Sequence, residues 1–129
     1  MVVVDLGTVT IPVGGTPQSF APFSVNDNRA YGIYFDIIVA QPTNIFSFLR
    51  VTGEFTRNDL TTHYYHSSYD IEILESPKFL LFPFSNLYNG NGSFRPIIAR
   101  VNRVRGGGDS GDVIIQAQYD DQADIRTWL

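Results

Sequence analysis

His63 and His66 are the residues of this chain best suited to bind a metal, and two tyrosines separate them. On a helical turn this spacing would place both imidazoles on one side, where they could share a metal ion. On a β-strand they would face opposite sides. No glutamate stands between them, as a zinc-protease helix requires, and Asp59 or Asp70 would have to complete the ligand set. We interpret both as exposed loop histidines and predict no metal site here.

Three acidic residues near the end of the sequence, Asp120, Asp121 and Asp124, offer oxygen ligands for calcium. Their spacing matches no EF-hand loop, and a solvated acidic tail explains them more simply. The sequence therefore predicts neither a bound metal nor another cofactor.

Ser110 lies in the short motif Gly108-Asp109-Ser110-Gly111. These four residues resemble the nucleophile motif of chymotrypsin-like serine proteases, which implies a reactive serine beside an oxyanion hole. The next residue is Asp112 where that family has glycine, and neither histidine has the family's Ala-Ala-His-Cys context. A nucleophilic serine also needs a histidine base that a carboxylate orients. We predict that Ser110 is not a nucleophile and that the chain is not an enzyme.

An aromatic and polar segment over 58–69 suggests a binding function. Tyr64, Tyr65, His66 and Tyr69 could stack on sugar rings and hydrogen-bond to their hydroxyls. The surrounding residues, 56–68, are polar and typical of a long loop, and loops often carry binding residues. A carbohydrate-binding β-sandwich, lectin-like or receptor-binding, is therefore the alternative to a structural role.

The composition is typical of one globular domain over 1–129. Of the 129 residues, 43% are hydrophobic and 14% aromatic, which is enough for a core without disulfides. Cysteine is absent, which excludes thiolate catalysis and thiolate metal sites. The formal net charge is −4, whereas proteins that bind nucleic acid need a surplus of cations. We predict no nucleic-acid partner, no signal peptide and no membrane segment.

Apolar and polar residues alternate with a period of two along most of the chain, which indicates β-strands. We predict an all-β, antiparallel sandwich of about eight strands, built as a jelly roll. Residues 2–4 and 8–13 are expected to be separate strands near a sheet edge, and 31–39 a central strand covered on both faces. Residues 97–104 and 113–119 are expected to pair as a hairpin. The predicted core comprises Ile33, Phe35, Ile37, Ile71, Ile73, Val101, Ile115 and Ala117.

Charge is sorted along the last third of the sequence. Arg100, Arg103 and Arg105 lie in a segment without acidic residues, and Asp120 and Asp121 follow it. One interpretation is two solvated patches. The other is that the arginine strand of one copy contacts the acidic tail of a neighbouring copy, and this is the contact that we predict.

Trp128 is the only tryptophan and lies one residue from the end of the sequence. A solvated tail gains nothing from so large an apolar side chain, whereas protein interfaces favour it as an anchor. We predict that Trp128 docks at a contact between copies, and docking onto its own domain is the alternative.

In overall character the chain resembles the small jelly-roll decoration, or cement, proteins of tailed-phage capsids. The shared features are the absence of cysteine, the use of arginine almost to the exclusion of lysine, loops rich in Asn, Gly and Thr, and candidate arms over 1–8 and 120–129. The resemblance implies a non-enzymatic homo-oligomer, commonly a trimer, that clamps capsid protein through loops and termini. It also implies a place on the virion surface after synthesis in the host cytoplasm.

Overall fold

The computed structural model describes residues 2–12, 16–26, 30–40, 48–58, 63–65, 68–72, 77–83, 91–101 and 112–122. These described residues form ten β-strands and no helix. The strands are β1 (Val2–Ile11), β2 (Gln18–Ser19), β3 (Phe23–Val25), β4 (Ala30–Ala40), β5 (Phe48–Arg57), β6 (His63–Tyr65), β7 (Tyr69–Glu72), β8 (Lys78–Pro83), β9 (Gly92–Val101) and β10 (Val113–Gln122).

The strands form two antiparallel sheets. The four-stranded sheet has the order β1-β10-β4-β8, and the six-stranded sheet has the order β2-β9-β5-β6. Because β5 pairs along one whole edge of β9, β2 and β3 share the other edge of β9. In the same way β6 and β7 share the other edge of β5.

Nested pairing identifies the architecture. If β2 with β3, and β6 with β7, each count as one interrupted strand, eight strands remain. The first then pairs with the eighth, the second with the seventh, the third with the sixth and the fourth with the fifth. This is the pairing of a jelly roll, so the predicted all-β, jelly-roll-like sandwich is confirmed.

The core lies between the two sheets. Residues of β9 alternate between buried and half-buried along the whole strand, so every second side chain enters the core. Aromatic rings connect the sheets: Phe23 of β3 stacks on Tyr119 of β10 with ring centroids 4.0 Å apart. Phe23 also meets Phe94 of β9 edge-on at 5.7 Å. Such contacts add specific geometry to the apolar burial that holds the sandwich together.

Most of the predicted core is confirmed. Buried as expected are Ile33, Phe35, Ile71, Ile115 and Ala117. Ile37 is partly buried against this core. The prediction is wrong for Val101, which is half-buried at an outward position of β9, because Ile98 and Arg100 occupy the inward positions. Ile73 lies outside the described residues.

β1 joins the two stretches that were expected to be separate strands. Leu6 is inserted as an extra residue between Asp5 and Gly7, which makes a β-bulge opposite β10. Gly7 has a φ of 93°, which glycine adopts readily. Because of the bulge, Leu6 and Ile11 both enter the core although they are five positions apart. The expected edge position is confirmed, and the candidate arm over 1–8 is part of this paired strand from Val2 onward.

The predicted hairpin of 97–104 with 113–119 is wrong, because β9 and β10 lie in different sheets. The alternation itself assigned the faces correctly, since Val113, Ile115 and Ala117 are all buried. A period-two pattern shows which side chains face a core but not which strand is the neighbour. The intervening residues, 102–112, also exceed the two to five residues of an ordinary hairpin loop.

β4 is a central strand as predicted, but only one of its faces is covered. Ile33 and Phe35 are buried, whereas Tyr34 is 41% and Ile38 is 49% exposed. The expectation of cover on both faces is therefore wrong. Neighbouring strands satisfy the backbone of a central strand, but its outward side chains are covered only where a further layer packs on them.

Candidate functional site

Several predicted site residues lie outside the described part of the chain. They are His66, Arg103, Arg105, Ser110, Asp124 and Trp128. Within the described ranges, no group of three or more His, Cys, Asp or Glu residues is placed to hold a metal ion. Among the described residues, no helix is long and apolar enough to cross a membrane.

The tyrosine-rich segment is not a continuous loop. Residues 63–65 form β6, which places His63 opposite Thr56 and Tyr65 opposite Glu54 of β5. Tyr69 begins β7 on the same edge of β5 and is 37% exposed. The expected loop over 56–68 is thus wrong for 56–57 and 63–65, because this polar sequence completes the outer edge of the six-stranded sheet. Glycan binding by Tyr64, Tyr65, His66 and Tyr69 stays a prediction.

Arg100 and Asp120, two of the predicted partner-contact residues, lie near opposite ends of the sandwich. Phe94 near the start of β9 and Tyr119 near the end of β10 both contact Phe23, so β9 runs away from this end towards Arg100. Arg100 is 8% and Asp120 only 2% exposed in the single chain. Oδ1 of Asp120 has no hydrogen-bond partner in the described ranges. A contact between the arginine strand and the acidic tail would therefore be head-to-tail, and it stays a prediction.

Charged and hydroxyl side chains occupy outward positions along β5 and, on β9, the two nearest Gly92, because Ile97, Ala99 and Val101 fill the remaining outward positions of that strand. We call this surface the polar face, and it consists of Arg50, Thr52, Glu54, Thr56, Ser93 and Arg95. Nη2 of Arg95 donates to Oε1 of Glu54 at 2.8 Å across the strand pair. This ion pair is partly buried, since the side chain of Glu54 is 15% and that of Arg95 39% exposed.

A second ion pair lies further along the polar face and is slightly more exposed, since the side chain of Arg50 is 43% and that of Asp70 20% exposed. Nε of Arg50 donates to Oδ1 of Asp70 on β7 at 3.0 Å. The hydrogen bond to Asp70, and then its negative charge, raise the pKa of Arg50 above the ordinary arginine value. The two pairs have the same chemistry, so their surroundings distinguish them.

The Glu54–Arg95 pair borders a cleft. The cleft has a volume of about 190 Å³ and is lined by Pro22, Glu54, Thr56, Ser93 and Arg95. It forms where the chain leaves the edge of β9 between β2 and β3, which brings Pro22 over the outer surface. Nε of Arg95 is shielded from solvent and has no hydrogen-bond partner in the described part of the chain. One donor of Arg95 is therefore left without an acceptor beside the cleft.

Outward positions of the four-stranded sheet carry exposed apolar residues among polar ones, which include Asp5, Asp36, Gln116 and Gln118. Val3 is 54%, Ile38 49% and Tyr34 41% exposed. The ring of Tyr34 packs against that of Phe79 on β8 with centroids 4.7 Å apart. We call the apolar residues of this surface, Val3, Tyr34, Ile38 and Phe79, the apolar face.

The sequence reasoning missed both surfaces as sites. Thr56 was expected in a loop, and the sequence did not indicate that Ser93 and Arg95 lie beside Glu54. Glu54 and Arg95 are 41 positions apart, and only the pairing of β5 with β9 brings them together. On β4 the exposed Tyr34 and Ile38 were interpreted as buried, because apolar residues at outward positions are usually covered.

Comparison with known proteins leaves the family open. No protein-family model matches the sequence, and no curated protein matches it. Among solved structures, 93% of the chain superimposes on part of a chain described as "Structure of infectious bursal disease virus Gt strain", with 10% identity and a TM-score of 0.49. The chain covers 31% of that viral chain. The strand order described above, not this similarity, defines the fold.

Proposed function

We propose that this protein is a non-enzymatic structural module of a virion, a decoration protein that forms homo-oligomers and binds capsid protein. The jelly-roll fold supports this proposal in part, since the fold is common in capsid proteins, although lectins and cupins share it. The observation that carries the proposal is the apolar face. Its chemistry fits contact with another protein surface.

The outer face of an antiparallel sheet is ordinarily polar because it meets water. Val3, Tyr34 and Ile38 break this pattern on one sheet, and each is at least 41% exposed. Exposed apolar side chains grouped on one surface are typical of protein contacts, where aromatic and aliphatic anchors supply most of the affinity. We infer that this sheet packs against a second copy or against capsid protein.

The positions of the two ends of the described chain also support an interface on the four-stranded sheet. Val2 lies opposite Asp121 and Val3 opposite Asp120, so the beginning of β1 and the end of β10 are adjacent. Asp121, one residue before the end of the described chain, therefore lies beside the apolar face. Contacts through Asp121 and Trp128 would extend an interface that begins at Val3.

Sedimentation equilibrium tests the homo-oligomer directly. We expect a mass that is a multiple of the 14.5 kDa chain, with three copies favoured, over the micromolar range. A species of one chain at every concentration would overturn the homo-oligomer.

Co-sedimentation tests decoration separately. Purified protein is mixed with particles assembled from the shell protein of the same genome, and saturable binding is expected. Particles that bind no protein, under conditions where the chain is folded by circular dichroism, would contradict the decoration role.

A further inference from the structure

We propose that the cleft on the polar face binds a neutral sugar through two adjacent hydroxyl groups. The site consists of Glu54, Thr56, Ser93 and Arg95 on the strands and Pro22 above them. This inference is independent of the decoration role, because it uses the opposite sheet of the sandwich.

The hydrogen-bonding groups of the cleft define the ligand chemistry. The carboxylate of Glu54 only accepts, whereas the guanidinium of Arg95 only donates. Because Nη2 and Oε1 are 2.8 Å apart, a ligand that meets both groups needs a donor and an acceptor side by side. Adjacent sugar hydroxyls meet this requirement, since each hydroxyl both donates and accepts.

The unpartnered nitrogen of Arg95 strengthens this argument. Nε of Arg95 is shielded from solvent and finds no acceptor in the described part of the chain. Leaving a shielded donor unpaired is costly, and a charged donor forms stronger hydrogen bonds than a neutral one. Since the side chain of Arg95 is 39% exposed, a small rotation towards an acceptor oxygen on a ligand would remove that cost.

The charge balance favours a neutral ligand over an anion. Glu54 already neutralises Arg95, and its carboxylate would repel a second negative group in the same cleft. Ser93 adds a hydroxyl that donates or accepts as the ligand requires. Pro22 offers an apolar surface to the carbon-bound hydrogens of a sugar ring.

The volume limits the size of the ligand. At about 190 Å³ the cleft is smaller than the roughly 300–1,000 Å³ of sites for drug-sized ligands. One sugar ring is the appropriate occupant, and the rest of a glycan would extend into solvent. The neighbouring strand β6 places Tyr65 opposite Glu54 in register, about 4.8 Å away between strand axes.

Amide NMR titration of the ¹⁵N-labelled full chain tests the proposal. The probes are methyl α-glucoside, methyl α-galactoside, methyl α-mannoside and N-acetylglucosamine, with sodium acetate as the anionic comparison. We expect at least one sugar to shift the amides of Glu54, Thr56, Ser93 and Arg95 saturably, with an affinity of about millimolar. Acetate is expected to shift none of them.

Two variants and a matched control locate the binding. Arg95→Gln and Glu54→Gln should each weaken the sugar by about tenfold or more, because each removes a charged hydrogen-bonding group. Arg50→Gln removes the equivalent arginine from the Arg50–Asp70 pair and should leave the affinity within about twofold. Thermal unfolding tests whether each variant is folded. If a variant is not folded, Ser93→Ala is used in its place.

Three results would overturn the sugar site. One is that no sugar shifts these amides at any soluble concentration. Another is that acetate binds in place of sugar, which would make the cleft an anion site. The third is that Arg50→Gln weakens binding as much as Arg95→Gln, which would mean that the cleft is not the site.

Discussion

The two outer faces of the sandwich differ although the two inner faces are alike. Both sheets turn regular alternating apolar side chains inward, yet four of the five large apolar residues exposed in the described ranges lie in the four-stranded sheet. They are Val3, Tyr34 and Ile38 at outward positions and Val4, which lies opposite the core-facing Tyr119. Tyr69 alone lies in the six-stranded sheet, opposite the core-facing Val51. The six-stranded sheet instead displays two arginine–carboxylate pairs.

This difference separates what the fold requires from what the surface does. A jelly roll needs only its inward positions to be apolar, so the outward positions are free to differ. An apolar outward surface fits a protein partner, whereas paired charges with hydroxyls beside a cleft fit a polar ligand. The four predictions that follow test this contrast, from the largest effect to the smallest.

Truncation of neighbouring aromatic residues on β4 should change the unfolding free energy by different amounts on its two faces. Phe35 is 4% exposed and its ring lies 5.9 Å from that of Phe20, so Phe35→Ala should cost about 3–5 kcal/mol of unfolding free energy. Tyr34 is 41% exposed, so Tyr34→Ala should cost less than about 1 kcal/mol in the monomer. Urea unfolding measures both. Similar costs for the two variants would contradict the assignment of the faces.

A methyl group at Gly92 should disturb the six-stranded sheet. A β-carbon there would clash with the carbonyl oxygen of Thr56 and with the ring of Phe55, which is fully buried. We expect Gly92→Ala to cost about 1–3 kcal/mol, because neither neighbour can move freely. Ser93→Ala is the control at the next position and should change stability little. A stable Gly92→Ala variant would show that β9 and β5 are not packed this closely.

How far the sequence predicts this molecule depends on whether a feature is local. Alternation along β10 correctly indicates which residues face the core, and the turn-rich chain indicates a sandwich. On β9 the wrong face was expected in the core, since Val101 was predicted there and Ile98 is buried instead. The partners of those two strands were predicted wrongly, because pairing in a jelly roll joins distant segments. Because the bulge at Leu6 shifts the alternation by one position, the sequence does not show that β1 is a single strand. Gly7 is the local signal that could have revealed it.

The candidate surfaces were less predictable than the fold. Polar alternation marks Glu54 as facing water, but its cleft requires Pro22 and Arg95 from two other segments. The apolar face was hidden for a different reason. Tyr34 and Ile38 have the residue types of a buried strand. Only the exposed fraction of each residue in the structure shows that no described layer covers them.

A charge placed on the apolar face should weaken assembly without unfolding the chain. Ile38→Asp puts a carboxylate at a position that is 49% exposed, so the monomer should tolerate it. At an interface the same carboxylate would be desolvated, and we expect the association constant to fall by about tenfold or more. Thr52→Asp on the polar face is the matched control. Equal effects of the two variants on the sedimentation mass would remove the distinction between the faces.

Loss of the Arg50–Asp70 ion pair should have the smallest effect. Arg50→Gln removes an exposed pair, and exposed pairs contribute little to stability. The raised pKa of Arg50 means that its contribution is complete below the ordinary arginine pKa and is lost only as the pH rises past it. The difference from wild type should therefore be equal at about pH 6 and about pH 9. A difference that changes between these values would show that another group titrates with the pair.

Footprinting of two tyrosines tests the central claim, that the four-stranded sheet carries the protein interface. Tyr34 is 41% and Tyr69 is 37% exposed in the single chain, so hydroxyl radicals should oxidise both to similar extents in dilute protein. At concentrations where the protein assembles, we expect oxidation of Tyr34 to fall several-fold while that of Tyr69 stays unchanged. Protection of Tyr69 alone, or equal oxidation of both tyrosines in the assembled protein, would contradict the account.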